Sequence, residues 1–325
     1  MHERSDQMYL AASLYYVQGE TMESIARQLR VSRSTVSRLL RDARDTGVVT
    51  ITLRNPSGQD AALSDTFARI FGVIAHIVAV REGSTEVHRL DRVARVAGQL
   101  ITSMVEDDMT IGAAWGTTLS AVVPYVRPRD LHGVSFVQLN GGGNMTGFGT
   151  PYVGSIISQM ADSFGAEVVD FPVPAFFDHP ETRQAMFRER SVQNVRRCQR
   201  KADLALFGVG SLASAVPSHV YSAGYLDDTD MAQLRADRAV GDVNTVLLRE
   251  DGTWADIALN QRASGMTPPD LQRIPRRLCV VAGVGKASPL LGLLRARLAT
   301  EVVVDEATAK AVLAKLQVGS PRPQS

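Results

Sequence analysis

The chain has 325 residues, of which 45% are hydrophobic and 21% charged, and this balance excludes a disordered or fibrous protein. The length exceeds the size at which a single hydrophobic core usually stops growing, so it favours two domains. The formal net charge of +1 excludes a general polycation, so affinity for nucleic acid has to come from a local basic patch.

The N-terminal segment predicts a small helical domain. Apolar residues recur at helical spacing over residues 8–17. Thr21 is suited to cap a second, short helix, and Ser32 is suited to cap a third that extends to about Arg44. The alternation of apolar residues over 48–53 predicts a strand after the third helix.

The outward face of the third helix predicts a DNA-reading surface. Its arginines suit guanine acceptors in the major groove, and its hydroxyl groups suit base edges or phosphates. Residues 27–44 contain six arginines and a single acid, Asp42. This excess of arginines supplies the local basic patch. The pattern predicts a helix-turn-helix that binds double-stranded operator DNA; the alternative is a three-helix unit with a solvated basic face. The predicted DNA contacts are Thr21, Ser32, Arg33, Ser34, Thr35, Ser37, Arg38 and Arg41.

A turn-rich stretch at residues 55–60 predicts a boundary between a DNA-binding domain at 1–55 and a larger domain at 56–325. Beyond it, apolar strand-like runs alternate with helical patterns, which predicts an α/β fold with a Rossmann-like, mostly parallel sheet covered by helices on both faces. Strands are predicted at 74–80, 109–113, 134–139, 167–173, 204–209, 245–248, 278–282 and 302–304. Helices are predicted at 87–104, 153–164, 182–198 and 289–298 and after Asp305.

Four glycine-rich loops follow predicted strands, at residues 115–118, 140–144, 210–211 and 283–286. Open α/β sheets bind ligands beyond the carboxyl ends of their strands. A single glycine at such a turn usually serves backbone geometry, whereas four such loops together predict nests of backbone amides for an anion.

Lys286 and Asp242 are the charged side chains singled out near these loops. Ala287 stands where a nucleotide-hydrolysing P-loop would have serine or threonine, so that activity is not expected. Lys286 either pairs with a phosphate as a point charge or is an exposed lysine at a helix start. Asp242 either accepts hydrogen bonds from sugar hydroxyls or closes a local turn.

The cysteines and histidines suggest neither metal nor catalytic chemistry. Cys198 and Cys279 are far apart and predict free thiols in a reducing compartment, and the scattered histidines predict neither a zinc site nor a hydrolase triad. We expect no cofactor and no metal. The charged N-terminus and the lack of an apolar run of about 20 residues predict a cytoplasmic protein without a membrane partner.

These residues resemble the SorC family of sugar-binding transcriptional regulators over nearly the whole chain. Residues 25–40 resemble the family's reading helix and its approach, and the motifs of the larger domain follow in the family's order at 112–119, 141–142, 208–211, 241–242, 274–275 and 282–286. The chain departs from the family at Val284, where a second glycine is common, and at Asn140, where some members carry a basic residue.

The resemblance implies an effector domain with the fold of sugar-phosphate isomerases that serves as a sensor. It implies phosphate around Thr117, Thr118 and Lys286, sugar hydroxyls near Asp242, and a homo-oligomer, most often a tetramer built from dimers. The predicted effector contacts are Gly116, Thr117, Thr118, Gly141, Gly142, Gly143, Gly210, Ser211, Asp242 and Lys286.

The function predicted is that of a transcriptional regulator, not an enzyme, whose affinity for its operator is controlled by a small sugar, most simply a phosphorylated one. The first alternative is a sugar-phosphate isomerase with a basic N-terminal appendage, which would need a positioned base. The second is a DNA-binding scaffold whose larger domain only mediates oligomerisation.

Overall fold

The computed structural model describes residues 2–49, 59–143, 151–216 and 218–318. The chain divides into two compact units, residues 1–56 and residues 57–325. We describe each unit separately.

The first unit is a three-helix domain. Helix α1 (His2–Ala12) continues into a π-helical turn (Ser13–Val17), and α2 (Met22–Gln28) and α3 (Arg33–Asp45) follow. Helix α1 begins earlier than predicted. Its first residues are polar, so no apolar periodicity marked them as helical in the sequence. The predicted strand at 48–53 falls mostly outside the described residues. The side chains buried between the helices are Ala11, Ala12, Leu14, Ile25, Val36, Leu39, Leu40 and Ala43.

Both predicted helix caps are confirmed. Thr21 accepts a hydrogen bond from the Ser24 backbone N–H at 3.2 Å, and Ser32 accepts one from the Thr35 N–H at 3.1 Å. Between the two helices Arg30 takes a left-handed conformation with φ of 53°, which forms a tight turn.

Replacing Ser32 with alanine is expected to lower the free energy of unfolding of this unit by about 1 kcal/mol, because the Thr35 N–H loses its cap. Thermal denaturation of the variant would measure the loss. The matched control is Ser37→Ala, an exposed position inside the same helix where alanine should be neutral or slightly stabilising. Equal stability of the two variants would contradict the capping role.

The described residues of the second unit form ten strands: β1 (Ile74–Val78), β2 (Thr110–Ala113), β3 (Ser135–Gln138), β4 (Glu167–Val169), β5 (Leu204–Gly208), β6 (Gly210–Ser211), β7 (Gly241–Val243), β8 (Val246–Leu248), β9 (Arg276–Val281) and β10 (Glu301–Asp305). Seven of them form a parallel sheet in the order β1-β10-β9-β5-β2-β3-β4. The remaining three form a small antiparallel sheet in the order β6-β7-β8.

The helices of this unit are α4 (Gln59–Phe71), α5 (Glu86–Met104), α6 (Thr117–Val122), α7 (Pro151–Asp162), α8 (Pro180–Met186), α9 (Arg190–Arg200), α10 (His219–Ser222), α11 (Asp228–Ala236), α12 (Pro268–Gln272), α13 (Ala287–Arg295) and α14 (Glu306–Val318). Successive residues of β5 point to opposite faces of the sheet. Leu204 and Leu206 belong to one buried cluster, and Ala205 and Phe207 belong to the other. Helices α5, α6 and α7 pack into the first cluster, and α4, α13 and α14 into the second. The predicted α/β fold with helices on both faces of a parallel sheet is therefore confirmed.

Several predicted elements are corrected. The single helix at 182–198 is two helices, α8 and α9, because the chain turns at the buried Phe187, which ends α8. Gly210 and Ser211 form strand β6 rather than a loop, and Asp242 lies within strand β7 rather than before a strand. The predicted linker is shorter, since α4 already begins at Gln59.

The strand order places one crevice in the sheet. Strand β2 lies between β3 and β5, and the chain leaves β2 towards β3 but leaves β5 towards β9 on the opposite side. Ligands of open parallel sheets bind at such a reversal, outside the carboxyl ends of the strands. The loops that follow β2 and β5 are therefore the expected walls of a binding site.

Candidate functional site

A pocket of about 490 Å³ opens at this crevice. Its walls come from the loops after β2, β3, β5 and β9, the start of α10, and the β7–β8 hairpin. The lining residues are Ala114, Trp115, Gly116, Thr117, Thr118, Leu119, Asn140, Gly208, Val209, Gly210, Ser218, His219, Val220, Asp242, Asn244, Thr245 and Lys286.

The structure brings six of the predicted effector residues together at this pocket: Gly116, Thr117, Thr118, Gly210, Asp242 and Lys286. The other four do not line it. The Gly141 N–H donates to Ser264 Oγ at 2.9 Å, and the amides of Gly142 and Gly143 donate to the Val173 carbonyl. The Ser211 hydroxyl donates to the Gly285 carbonyl at 2.7 Å, so it braces the loop that carries Lys286.

Lys286 is a buried cation. Only 5% of its surface is exposed, and its Nζ donates to Thr118 Oγ1 at 3.1 Å. Burial lowers the pKa of this ammonium group, while the thiol of Cys279 and the carboxylates of Asp242 and Glu86 oppose that shift. A buried cation is costly without a counter-charge, so this arrangement suits an anionic ligand group between Lys286 and Thr118.

Asp242 closes a local turn, which is one of the two roles that the sequence left open. Its Oδ2 accepts from the Thr245 N–H at 2.9 Å, which closes a turn, and its Oδ1 accepts from the Tyr221 hydroxyl at 2.8 Å. The residue also lines the pocket. Burial raises the pKa of its carboxyl group, against the opposing effects of Tyr221, Thr245 and Lys286.

Two asparagines line the pocket with unpaired polar atoms. Asn140 is 2% exposed and Asn244 is 5% exposed. Among the described residues, no hydrogen-bond partner lies within reach of Asn140 Oδ1 or of either polar side-chain atom of Asn244. Native proteins rarely leave buried polar groups unpaired, because each costs about 1–3 kcal/mol. A ligand with several hydroxyl groups would satisfy these atoms.

Asn244 is held by a strained two-residue hairpin turn. Val243 pairs with Val246, so Asn244 and Thr245 form the loop, and their φ values are 51° and 67°. Both central residues of a type I′ turn have positive φ, which asparagine tolerates and a β-branched threonine does not. Strain of this kind concentrates at functional sites.

Gly265 packs directly behind this turn. A Cβ atom added there would lie 1.6 Å from the Asn244 carbonyl oxygen. Gly265→Ala is therefore expected to displace the turn and to lower the free energy of unfolding by about 1–3 kcal/mol or more, as overpacking does elsewhere. The control is Gly154→Ala in helix α7, where a new Cβ meets nothing within 4 Å and should be neutral or stabilising. Differential scanning calorimetry of both variants checks the prediction; two equally stable variants would contradict it.

One wall of the pocket is aromatic. Trp115 stacks on Tyr225 with ring centroids 5.1 Å apart, and its edge-to-face contact with His219 spans 6.1 Å. The Trp115 indole N–H donates to the carbonyl of Gly141 at 3.0 Å, which fixes the ring at the pocket. Burial lowers the pKa of His219. Trp115 is one of two tryptophans in the chain, so its fluorescence can report on the pocket.

The sequence did not identify Asn140, Asn244, Trp115 or His219 as site residues. Their positions depend on which loops the strand order brings together. Trp115 and Asn140 are the first residues of two glycine-rich loops that were singled out, 115–118 and 140–144, whereas Asn244 carried only the signal of a turn-forming residue two positions after Asp242.

The predicted DNA contacts of the first unit lie on the outer face of α3 and at the start of α2. Arg33, Ser34, Ser37, Arg38 and Arg41 are exposed. The hydroxyls of Ser34 and Thr35 lie 2.7 and 2.9 Å from the Ser32 hydroxyl, so these side chains form one cluster at the N-terminus of α3. Arg33 lies 3.9 Å from Glu23, an exposed pair that constrains it little.

Within the described residues, no group of histidine, cysteine or acidic side chains is arranged to hold a metal ion. No helix in that part of the chain is long and apolar enough to cross a membrane.

Comparison with known proteins gives a consistent result. Residues 55–314 match the family model described as "Putative sugar-binding domain", and residues 13–46 match "Sigma-70, region 4". The crystal structure of a domain of a possible sugar-binding transcriptional regulator from Arthrobacter aurescens TC1 is 42% identical, covers 80% of this chain and 100% of that chain, and has a TM-score of 0.74.

Two further proteins match over nearly their whole length. The deoxyribonucleoside regulator of Bacillus subtilis (strain 168) is 29% identical over 306 residues, which cover 93% of this chain and 96% of the relative. The full-length sorbitol operon regulator SorC from Klebsiella pneumoniae is 23% identical, covers 94% of this chain and 97% of that chain with a TM-score of 0.74, and shows a shared fold. The chain thus belongs to the SorC family of sugar-binding transcriptional regulators, with a DNA-binding helical unit followed by a sugar-binding domain.

Proposed function

We propose that the effector of this regulator is a phosphorylated sugar that binds in the crevice pocket and changes the affinity of the protein for its operator. The observation that carries the proposal is the pairing, in one pocket, of a buried cation with unpaired amides. Lys286 and Thr118 suit the phosphate, and Asn140 and Asn244 suit hydroxyl groups.

The predicted residues that line the pocket have different proposed roles. Thr117 and Thr118 follow Gly116, whose φ of 146° is a conformation that glycine adopts readily and other residues rarely do. This turn brings both threonines to the pocket, where we propose that their hydroxyls and amides bind the phosphate. Asp242 accepts hydrogen bonds from Tyr221 and Thr245, and it acts on the sugar mainly by orienting the turn that carries Asn244.

We propose further that the protein acts in the cytoplasm as a homo-oligomer, a tetramer built from dimers. Paired α3 helices would then contact two half-sites of a pseudo-palindromic operator. The exposed basic and hydroxyl residues of α3 support the contact with DNA. Sedimentation of the protein with and without operator DNA would measure the assembly; a monomer at operator-binding concentrations would contradict it.

The alternative, a sugar-phosphate isomerase, needs a base within reach of the substrate carbon. Among the described residues that line the pocket, Asp242 is the only carboxylate, and both of its oxygens already accept hydrogen bonds. We therefore propose sensing rather than catalysis. Turnover of a sugar phosphate that is abolished in Asp242→Asn would support the enzyme instead.

The ligand class is tested by titrating tryptophan fluorescence with a panel of sugar phosphates, their parent sugars and inorganic phosphate. One sugar phosphate should bind at least about 100-fold more tightly than either of its parts, because it engages the cation and the amides together. Asn244→Gly removes the amide and keeps the positive φ, so it should weaken the sugar phosphate and leave inorganic phosphate unchanged. A parent sugar that binds as tightly as its phosphate would overturn the proposal.

A further inference from the structure

A second cleft lies away from the crevice pocket, between the C-terminal half of α9 and the segment that leads into α12. It has a volume of about 220 Å³ and shares no described lining residue with the crevice pocket. The residues that line it are Arg196, Gln199, Arg200, Ser264, Gly265, Met266 and Asp270.

The cleft carries an excess of positive charge. Arg196 lines the cleft. Its guanidinium group and that of Arg183, which is not a lining residue, lie 4.6 and 4.5 Å from the ring centroid of Phe187, so two like charges share one aromatic support. Burial lowers the pKa of Arg183, and the charge of Arg196 lowers it further. Arg200 adds a third cation at the exposed side of the cleft.

Asp270 neutralises these arginines only in part, because one carboxylate is shared by Arg196 and Arg273. Its Oδ1 accepts from Arg273 Nη1 at 3.2 Å, and its Oδ2 accepts from the Thr267 hydroxyl at 3.2 Å. Arg196 Nη2 lies 3.8 Å from that Oδ2, an ion pair without a hydrogen bond, and the charge of Asp270 opposes the lowering of the Arg196 pKa by burial. Asp270 is the only acid among the described lining residues, so the donors of Arg196 and Arg200 remain available to a ligand.

The wall behind the arginines is fixed by buried hydrogen bonds. Gln199 Nε2 donates to the Gln138 carbonyl at 2.8 Å. The Ser264 hydroxyl donates to the Ala175 carbonyl at 3.0 Å and accepts from the Gly141 N–H at 2.9 Å. Gln199 and Ser264 are each 3% exposed. The cleft is therefore held in shape before any ligand arrives, which reduces the entropic cost of binding.

We propose that this cleft is a second anion site, which binds the phosphate group of a small molecule independently of the crevice pocket. Arginine forks match phosphate oxygens in bidentate geometry, and the two lining arginines outnumber the one lining acid. Arg200 is exposed, so we place the phosphate at the mouth of the cleft, with the rest of the molecule outside it.

The test is isothermal titration of the full chain with inorganic phosphate at constant ionic strength, in a Lys286→Met background that weakens the crevice pocket. One phosphate should still bind per chain. Arg196→Gln should reduce its affinity by about 10-fold or more, as the loss of one charged hydrogen bond implies. The matched control is Arg197→Gln, an exposed neighbour on the same helix that does not line the cleft.

Arg200→Gln keeps the test valid if the half-buried Arg196 is needed for folding, because Arg200 is exposed. It should weaken phosphate as well, by a smaller factor. Equal phosphate affinity in Arg196→Gln, Arg200→Gln and Arg197→Gln would overturn the proposal, and so would the absence of any phosphate binding in the Lys286→Met background.

Discussion

Replacing Lys286 with methionine is expected to weaken binding of a phosphorylated effector by about 10- to 100-fold, the value of a hydrogen bond to a charged group. The side chain keeps its length and apolar stem, while the cation beside Thr118 is lost. Titration of tryptophan fluorescence measures the change. Unphosphorylated parent sugars should bind the variant and the wild type equally, which separates loss of the phosphate contact from general damage to the pocket.

The same substitution is expected to raise stability. Burial lowers the pKa of Lys286 in the folded chain, so between that pKa and the ordinary value of 10.5 the unfolded chain binds more protons and the stability of the wild type rises with pH. Lys286→Met lacks this dependence. The variant should therefore be the more stable protein near neutral pH, and its advantage should shrink as the pH approaches 10.5. Denaturant unfolding at several pH values checks the sign; a variant less stable than the wild type at pH 7 would contradict it.

Arg33→Ala and Arg38→Ala are expected to be the most damaging single changes to operator binding. An arginine that reads a guanine contributes about 1–3 kcal/mol, so each variant should lose about 5- to 150-fold in affinity and some discrimination between sequences. Both side chains are exposed, so folding should be unaffected. Fluorescence anisotropy with operator and random DNA measures both quantities.

The salt dependence distinguishes the possible roles of these arginines. An arginine that contacts a phosphate lowers the slope of log affinity against log salt by about 1 when it is removed, and weakens all sequences alike. Arg197→Ala removes the same charge from the exposed surface of the second unit and serves as the control. If the α3 variants bind operator as tightly as this control does, helix α3 is not the reading helix.

Much of the fold could be predicted because its signals are local. The hydroxyl caps at Thr21 and Ser32 and the apolar strands at 204–208 and 278–281 are visible without tertiary information. Only the second strand of the β7–β8 hairpin was predicted. Strand β7 was missed because it is short and contains Asp242, a polar residue that is buried in it. The division of residues 182–198 into α8 and α9 depends on Phe187, a helix-compatible residue that ends the first helix by packing inward.

The site was less predictable than the fold. Residues in different loops are brought together by the strand order β9-β5-β2-β3, which no local pattern encodes. Lys286 and Thr118 are 168 positions apart in the sequence, and Asn244 meets the pocket only through a strained turn. The glycines at 141–143 resembled an anion nest, but the Gly141 amide is taken by Ser264 and the other two by a neighbouring carbonyl. The contact of those glycines with the effector stays a prediction.

The most direct test of the central claim is the anisotropy of labelled upstream DNA titrated with the protein, with and without the sugar phosphate that binds most tightly. We predict sequence-selective binding to DNA whose affinity falls with salt and changes by a fixed factor when the effector is present. The affinity for the effector should change by the same factor when DNA is present, because coupling between two sites is reciprocal. Lys286→Met should require far more effector for the same shift. Selective binding to DNA that no sugar or sugar phosphate alters would contradict the account.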